Sequence, residues 1–232
     1  MPPLALQFTA TPQHPPVSAL WSCPPGAQQA LVLGHGAGSS LQHRLMAQLS
    51  AALEAVGVAT FRFNYPYSER GRGMDPEPVR LASVRAAAAC AAEQAPHLPL
   101  FAGGHSMSGR MFTLAASKQA IAGVRGLVCF AFPLHSGAPN VARAAHLSEV
   151  SVPLLFLSGT RDKMADRSLL SQVAAGLPAA TLHWIDTADH SFLSLKSRAS
   201  SEPVFDELAR LTLAWMAEQR AGRAQSRPRS AL

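Results

Sequence analysis

Short apolar runs alternate along this chain with longer segments whose apolar residues recur every three or four positions. Residues 4–10 and 17–21 read as an opening antiparallel strand pair. Residues 30–33 form a short buried strand. Leu41, Leu45, Met46, Leu49, Leu53 and Val56 then follow at helical spacing. Residues 58–63, 98–102, 126–131, 153–157 and 180–185 read as further strands. The alanine-rich stretch 79–94 and residues 111–120, 165–175 and 201–218 read as helices. Repeated strand–helix alternation predicts a mostly parallel central sheet of about seven to eight strands with helices on both faces. Ligands of such sheets bind beyond the carboxyl ends of the strands, so residues just after strands are the ones to search.

The most informative of these strand ends is Gly103-Gly104-His105-Ser106-Met107-Ser108-Gly109-Arg110. A strand, a sharp glycine-rich turn and a helix hold one serine strained and exposed, as a nucleophile elbow does. Ser108 stands where a second glycine is usual, and Gly109 comes one place late. Three other strand ends carry complementary chemistry. Gly34-His35-Gly36-Ala37-Gly38 brings backbone close to a substrate. The amides of Ala37 and Met107 are the candidate oxyanion donors, with Gly36 the near alternative, and His35 is expected to brace the loop. Gly159-Thr160-Arg161-Asp162 ends a buried strand on a carboxylate, with Asp166 as a nearby competitor. Asp189-His190-Ser191-Phe192 supplies an imidazole. Serine is a poor nucleophile without a base. The order Ser106, Asp162, His190 provides nucleophile, orienting acid and base in turn.

Other residues extend this expectation. Between the strands at 126–131 and 153–157 only a short connection remains, too short for a helical lid. His135, in that connection, is a candidate for lining the acyl pocket and the second choice of base. The irregular segment 64–78 borders the site. Tyr65 and Tyr67 are candidate wall residues there, and Arg70 or Arg72 candidate attractors of an anion. Arg110 is expected to make a structural ion pair.

Those motifs, in that order, resemble the small serine α/β-hydrolases of the dienelactone-hydrolase-like group. The resemblance covers residues 17 to 219 and rests on the His35, Ser106, Asp162 and His190 segments. It implies an α/β-hydrolase fold without a large lid domain, a serine-type triad and hydrolysis of a carboxylic ester or related acyl bond. This chain carries serine at position 106, where dienelactone hydrolases proper use cysteine. The expected activity is that of a carboxylesterase or thioesterase acting on a small or exposed acyl substrate, with no cofactor and no metal. A catalytically silent binding or interaction protein on the same fold is the alternative.

Bulk properties narrow the class further. At 232 residues and 48% hydrophobic content the chain is expected to form one domain, residues 1–219, with a substantial core. No apolar run is long enough to cross a bilayer, and residues 1–10 do not read as a signal peptide. Cys23, Cys90 and Cys129 are too few and too scattered for a disulfide framework, which suggests a cytoplasmic setting. The net charge of +6 is concentrated at the end: Arg220, Arg223, Arg227 and Arg229 carry four of those charges. Residues 220–232 are therefore read as a basic, disordered tail, and neither a nucleic-acid partner nor a membrane is expected.

Overall fold

The computed structural model describes residues 2–71 and 73–225. Within these residues eight strands form one sheet: β1 (Leu4–Phe8), β2 (Val17–Ser22), β3 (Gln29–Gly34), β4 (Val58–Phe63), β5 (Leu100–His105), β6 (Val124–Phe130), β7 (Leu154–Gly159) and β8 (Ala180–Ile185). Their order across the sheet is β1-β2-β4-β3-β5-β6-β7-β8. The first two pairings, β1 with β2 and β2 with β4, are antiparallel; all later ones are parallel. Among the described residues six α-helices accompany them: α1 (Arg44–Ala55), α2 (Pro66–Arg70), α3 (Glu77–Gln94), α4 (Met107–Lys118), α5 (Arg167–Ala175) and α6 (Val204–Gln225).

The central strands are apolar at nearly every position because each face of the sheet is covered. Side chains alternate between two cores. Val32, Ala102, Cys129 and Phe156 enter the larger core, beneath α3, α4 and α5. Leu33, Phe101, Phe130 and Leu157 enter the other, which Leu49 and Leu53 of α1 and Leu208 and Trp215 of α6 close. The period-two pattern inside short apolar runs thus sorts residues between faces rather than between core and water.

The structure changes the expected picture in three places. Strand β5 runs on through Gly103 and Gly104 to His105, and α4 starts at Met107, so the turn is a single residue wide. The segment read as irregular contains α2. Its start is set by Pro66 at the first helical turn and its end by Gly71 in the left-handed conformation, φ 65°. Helix α6 continues to Gln225, so residues 220–225, expected to belong to a tail, are helical. Arg220 bonds Gln28 at 3.0 Å. Residues 226–232 and Arg72 lie outside the described residues. Between β6 and β7 the described chain carries two single-turn 3-10 helices, Ala142–Ala144 and Leu147–Glu149, and no lid domain. Among the described residues no helix is long and apolar enough to cross a membrane.

Candidate active site

Ser106 is the one-residue turn between β5 and α4. Its backbone sits at φ 50°, ψ −110°, outside the regions comfortable for a side-chain-bearing residue. Such a conformation costs on the order of 1–3 kcal/mol and persists only where the surroundings dictate it. Here they do: the Ser106 amide donates to the Phe130 carbonyl at 2.8 Å, and its own carbonyl accepts from the Arg110 amide at 3.3 Å.

The Ser108 departure from the usual elbow glycine is explained by what faces it. A Cβ on Gly34 would lie 2.5 Å from Ser108 Oγ and 2.6 Å from its Cβ; one on Gly104 would lie 2.7 Å from the same Cβ and 2.2 Å from the Gly34 carbonyl. Glycines at 34 and 104 thus make room for the serine, and the hydroxyl is put to use. It donates to the His35 carbonyl at 2.5 Å and meets the Tyr65 hydroxyl at 2.8 Å. Gly34→Ala is expected to lower the unfolding free energy by about 1–3 kcal/mol, as overpacking of a tight core does. A denaturant melt checks it, and Ser108→Gly in the same chain should recover part of the loss.

The His190 ring lies between two groups. Its Nε2 is 2.8 Å from Ser106 Oγ, and its Nδ1 is 2.8 Å and 2.9 Å from the two Asp162 carboxylate oxygens. The carboxylate only accepts, so Nδ1 carries the proton and the Nε2 lone pair receives the serine hydroxyl. The Asp162 side chain is wholly buried, while the imidazole keeps 23% of its surface exposed. Asp162 also accepts from the Met164 amide at 2.8 Å. The competing carboxylates have other duties. Asp166 caps α5 by accepting from Leu169 N at 3.0 Å. Asp189 accepts from the Ser191 and Leu193 amides at 2.9 and 3.0 Å, closing the turn that presents His190.

Sequence reasoning passed over His105. Its Nε2–H donates to the His190 carbonyl at 2.8 Å, and its ring packs against those of His190 and Phe192. Its place next to Ser106 was the available signal, but the partner lies 85 positions away in sequence. Burial pulls His105 down from 6.5 to about 4, against the opposing effect of that bond. His35 is likewise pulled down to about 4 by burial. Neutral His35 donates from Nδ1 to the Gly36 carbonyl at 2.8 Å and meets the Ser68 hydroxyl through Nε2 at 3.0 Å, bracing the loop as expected.

Both depressed values bind protons more weakly folded than unfolded, so the stability they confer is complete above 6.5 and lost as pH falls towards 4. Unfolding near pH 5 should take up about two protons from solvent, one onto each of these rings. Denaturant melts from pH 7 to pH 4 measure this, and His35→Asn or His105→Asn should each flatten the slope.

Three expected substrate contacts are corrected. Tyr65 is fully buried, at 0% exposure, because its hydroxyl is committed to Ser108 and its ring to His35, Phe63 and Tyr67. Tyr67 is buried too, donating to the Gly36 carbonyl at 3.4 Å. The pair supports the 34–38 loop from beneath instead of forming a wall. His135, 4% exposed, is an internal brace rather than a pocket lining or a base. Its amide donates to the Met164 carbonyl at 3.1 Å and its Nε2 accepts from the Asp166 amide at 3.3 Å, tying down the turn that carries Asp162. Arg70 is tied to Asp75 at 2.5 Å. Gly36 lies beside the nucleophile: a Cβ there would sit 3.8 Å from the Ser106 Cβ and 2.8 Å from His105 Nδ1. Met107 N and Ala37 N donate to no acceptor among the described residues. Among those residues there is also no cluster of three metal-ligating side chains.

Strand order, elbow geometry and the position of these loops define an α/β-hydrolase. The chain belongs to that family: its alpha/beta hydrolase domain model matches residues 27–217. The fold is dienelactone-hydrolase-like. A dienelactone hydrolase from Anabaena variabilis is 17% identical, with a TM-score of 0.72 over 94% of this chain and 99% of that one. An α/β serine hydrolase homologue from Coxiella burnetii is 17% identical, TM-score 0.73, over 93% and 98%. A lidless α/β serine hydrolase from Xanthomonas campestris is 19% identical, TM-score 0.66, over 100% and 98%.

Proposed function

We propose that this hydrolase is a serine esterase or thioesterase that forms an acyl-enzyme on Ser106. The observation that carries the reading is the unbroken chain of 2.8 Å contacts from Ser106 Oγ through His190 to Asp162. Ser106 Oγ attacks the acyl carbon while its proton passes to His190 Nε2. Asp162 orients the ring and stabilises its cationic form. The negative charge developing on the carbonyl oxygen is met by the amides of Met107, at the N-terminus of α4, and Ala37, on the braced loop. His190 then protonates the departing alkoxide or thiolate. Water, deprotonated by His190, attacks the acyl carbon, and the acid leaves as Ser106 regains its proton.

No step of this scheme draws on a cofactor. The site lies under short loops, which favours small or exposed acyl groups. The test is covalent labelling with a fluorophosphonate, run on wild type, Ser106→Ala and His190→Ala. The reading expects labelling of wild type alone. A folded wild type that resists labelling overturns it and leaves a non-catalytic binding protein as the reading to pursue.

A further inference from the structure

The turn that carries His190 is tied down on both sides but hardly at its tip. Thr187 and Phe192 flank it at φ 55° and 59°, although neither is glycine. Backbone of that kind persists only where contacts dictate it. The Thr187 amide donates to Thr160 Oγ1 at 2.8 Å, and the Ala188 carbonyl accepts from the Arg161 amide at 2.9 Å. Asp189 gathers the amides of Ser191 and Leu193. His190 itself is the exception. Among the described residues its amide donates to no acceptor, and its carbonyl accepts from one group, the Nε2–H of His105, at 2.8 Å. The backbone of the proposed base is thus anchored through one bond, and the donor is the residue next to Ser106.

The His105 ring faces two loops of the site. On one side Nε2 holds the His190 carbonyl, with the centroids of the two imidazoles 5.2 Å apart. On the other side lies the loop of the proposed oxyanion donor. A Cβ on Gly36 would meet His105 Nδ1 at 2.8 Å, so the loop comes this close because residue 36 is glycine. The backbone of His105 belongs to β5, in register with Phe130 of β6. One side chain on a fixed strand therefore spans the gap between the base loop and the Gly36 loop. Burial keeps the ring neutral. It donates from Nε2 and sets no second cation beside His190 when the base takes up the serine proton.

We propose that His105 is a positioning residue for the base: its Nε2–H, bonded to the His190 carbonyl, keeps His190 Nε2 on Ser106 while Nδ1 stays on Asp162. This rests on the serine-hydrolase reading given above. His105 is not in the path of the proton, so its contribution runs through the placement of His190. Such placement is costly to lose, because a shift of about 1 Å in a reacting group can slow an enzyme about 100-fold.

Three substitutions test it, each with a circular dichroism check of folding. In His105→Gln the side-chain amide extends far enough to keep an N–H on the carbonyl. In His105→Asn it is too short, and in His105→Leu there is no donor. His105→Leu and His105→Asn should lower kcat towards a short-chain aryl ester by about 10- to 100-fold with KM changed less than about twofold, as for a buried acceptor left unpaired and a base displaced. His105→Gln should keep kcat within about threefold of wild type, since the bond is retained. In a His190→Ala background there is no base to position, so His105→Leu should leave the residual rate unchanged; a general structural role would lower it there as well. A folded His105→Leu enzyme, or His105→Asn should the leucine variant fail to fold, with kcat within about twofold of wild type overturns the proposal. So does a His105→Gln enzyme as slow as His105→Asn, or a loss that persists without His190. Proton NMR supplies a readout without turnover. The His190 Nδ1–H held on Asp162 should give a low-field resonance in wild type and His105→Gln, and lose it to exchange in His105→Leu and His105→Asn. A resonance unchanged in all three variants overturns the positioning role even if no ester is cleaved, whereas failure of the hydrolase reading is seen in fluorophosphonate labelling.

Discussion

Replacing Ser106 with alanine should reduce kcat towards a short-chain aryl ester by about 10⁴- to 10⁶-fold, the range expected when a residue acting as part of a nucleophile–base unit is removed. Among the described residues, Ser106 Oγ is the one hydroxyl hydrogen-bonded to His190 Nε2, so no neighbouring group among them inherits the nucleophilic role. Ser108, two positions on, is fully buried and its hydroxyl is held by His35 and Tyr65. The fold should survive, because alanine keeps the backbone bonds that hold residue 106 between Phe130 and Arg110. Kinetics with an active-site titration and a circular dichroism control decide the matter. A folded Ser106→Ala variant with activity within tenfold of wild type would exclude the acyl-enzyme.

Asp162→Asn should cost about 10⁴-fold in kcat with little change in KM, through the tautomer of His190 rather than through the shape of the site. The carboxylate can only accept, which keeps the proton on Nδ1 and the lone pair of Nε2 towards Ser106. An asparagine presents an N–H₂ group as readily as an oxygen. Where the N–H₂ faces Nδ1, the ring proton moves to Nε2, and the group that should take the serine proton instead donates. The Met164 amide still finds an oxygen at residue 162, so the turn is retained. Rates measured with a spectroscopic check of folding test this. An Asp162→Asn enzyme within tenfold of wild type would show that another group orients the ring.

How far the sequence could be read follows from where each interaction lies along the chain. The alternation of apolar runs and helical segments is local, and it identified the strands and their parallel arrangement. Strand ends are local too, so Ser106, Asp162 and His190 were legible as residues following strands. The structure then places them within hydrogen-bond reach. Element ends were less legible. Gly103 and Gly104 read as turn residues, yet both sit within β5, because the close packing of Gly34, Gly104 and Ser108 needs backbone without side chains there. Helix α2 was missed because its buried tyrosines and its Asp75 anchor mimic a polar loop in linear sequence.

By itself, then, the sequence determined the fold class and singled out Ser106, Asp162 and His190 as the candidate nucleophile, orienting acid and base, since period-two and period-3.6 patterns and strand-end motifs are properties of neighbouring residues. Only the tertiary structure decided which side chains those motifs rest on. Tyr65 reads as an exposed wall and is a buried support. His135 reads as a spare base and is a brace for the Asp162 turn. His105 holds His190 through a carbonyl 85 positions away. Burial and charge are summed over everything within several ångströms, and which residues share that space is settled by how the sheet and its helices pack, not by their order in the chain.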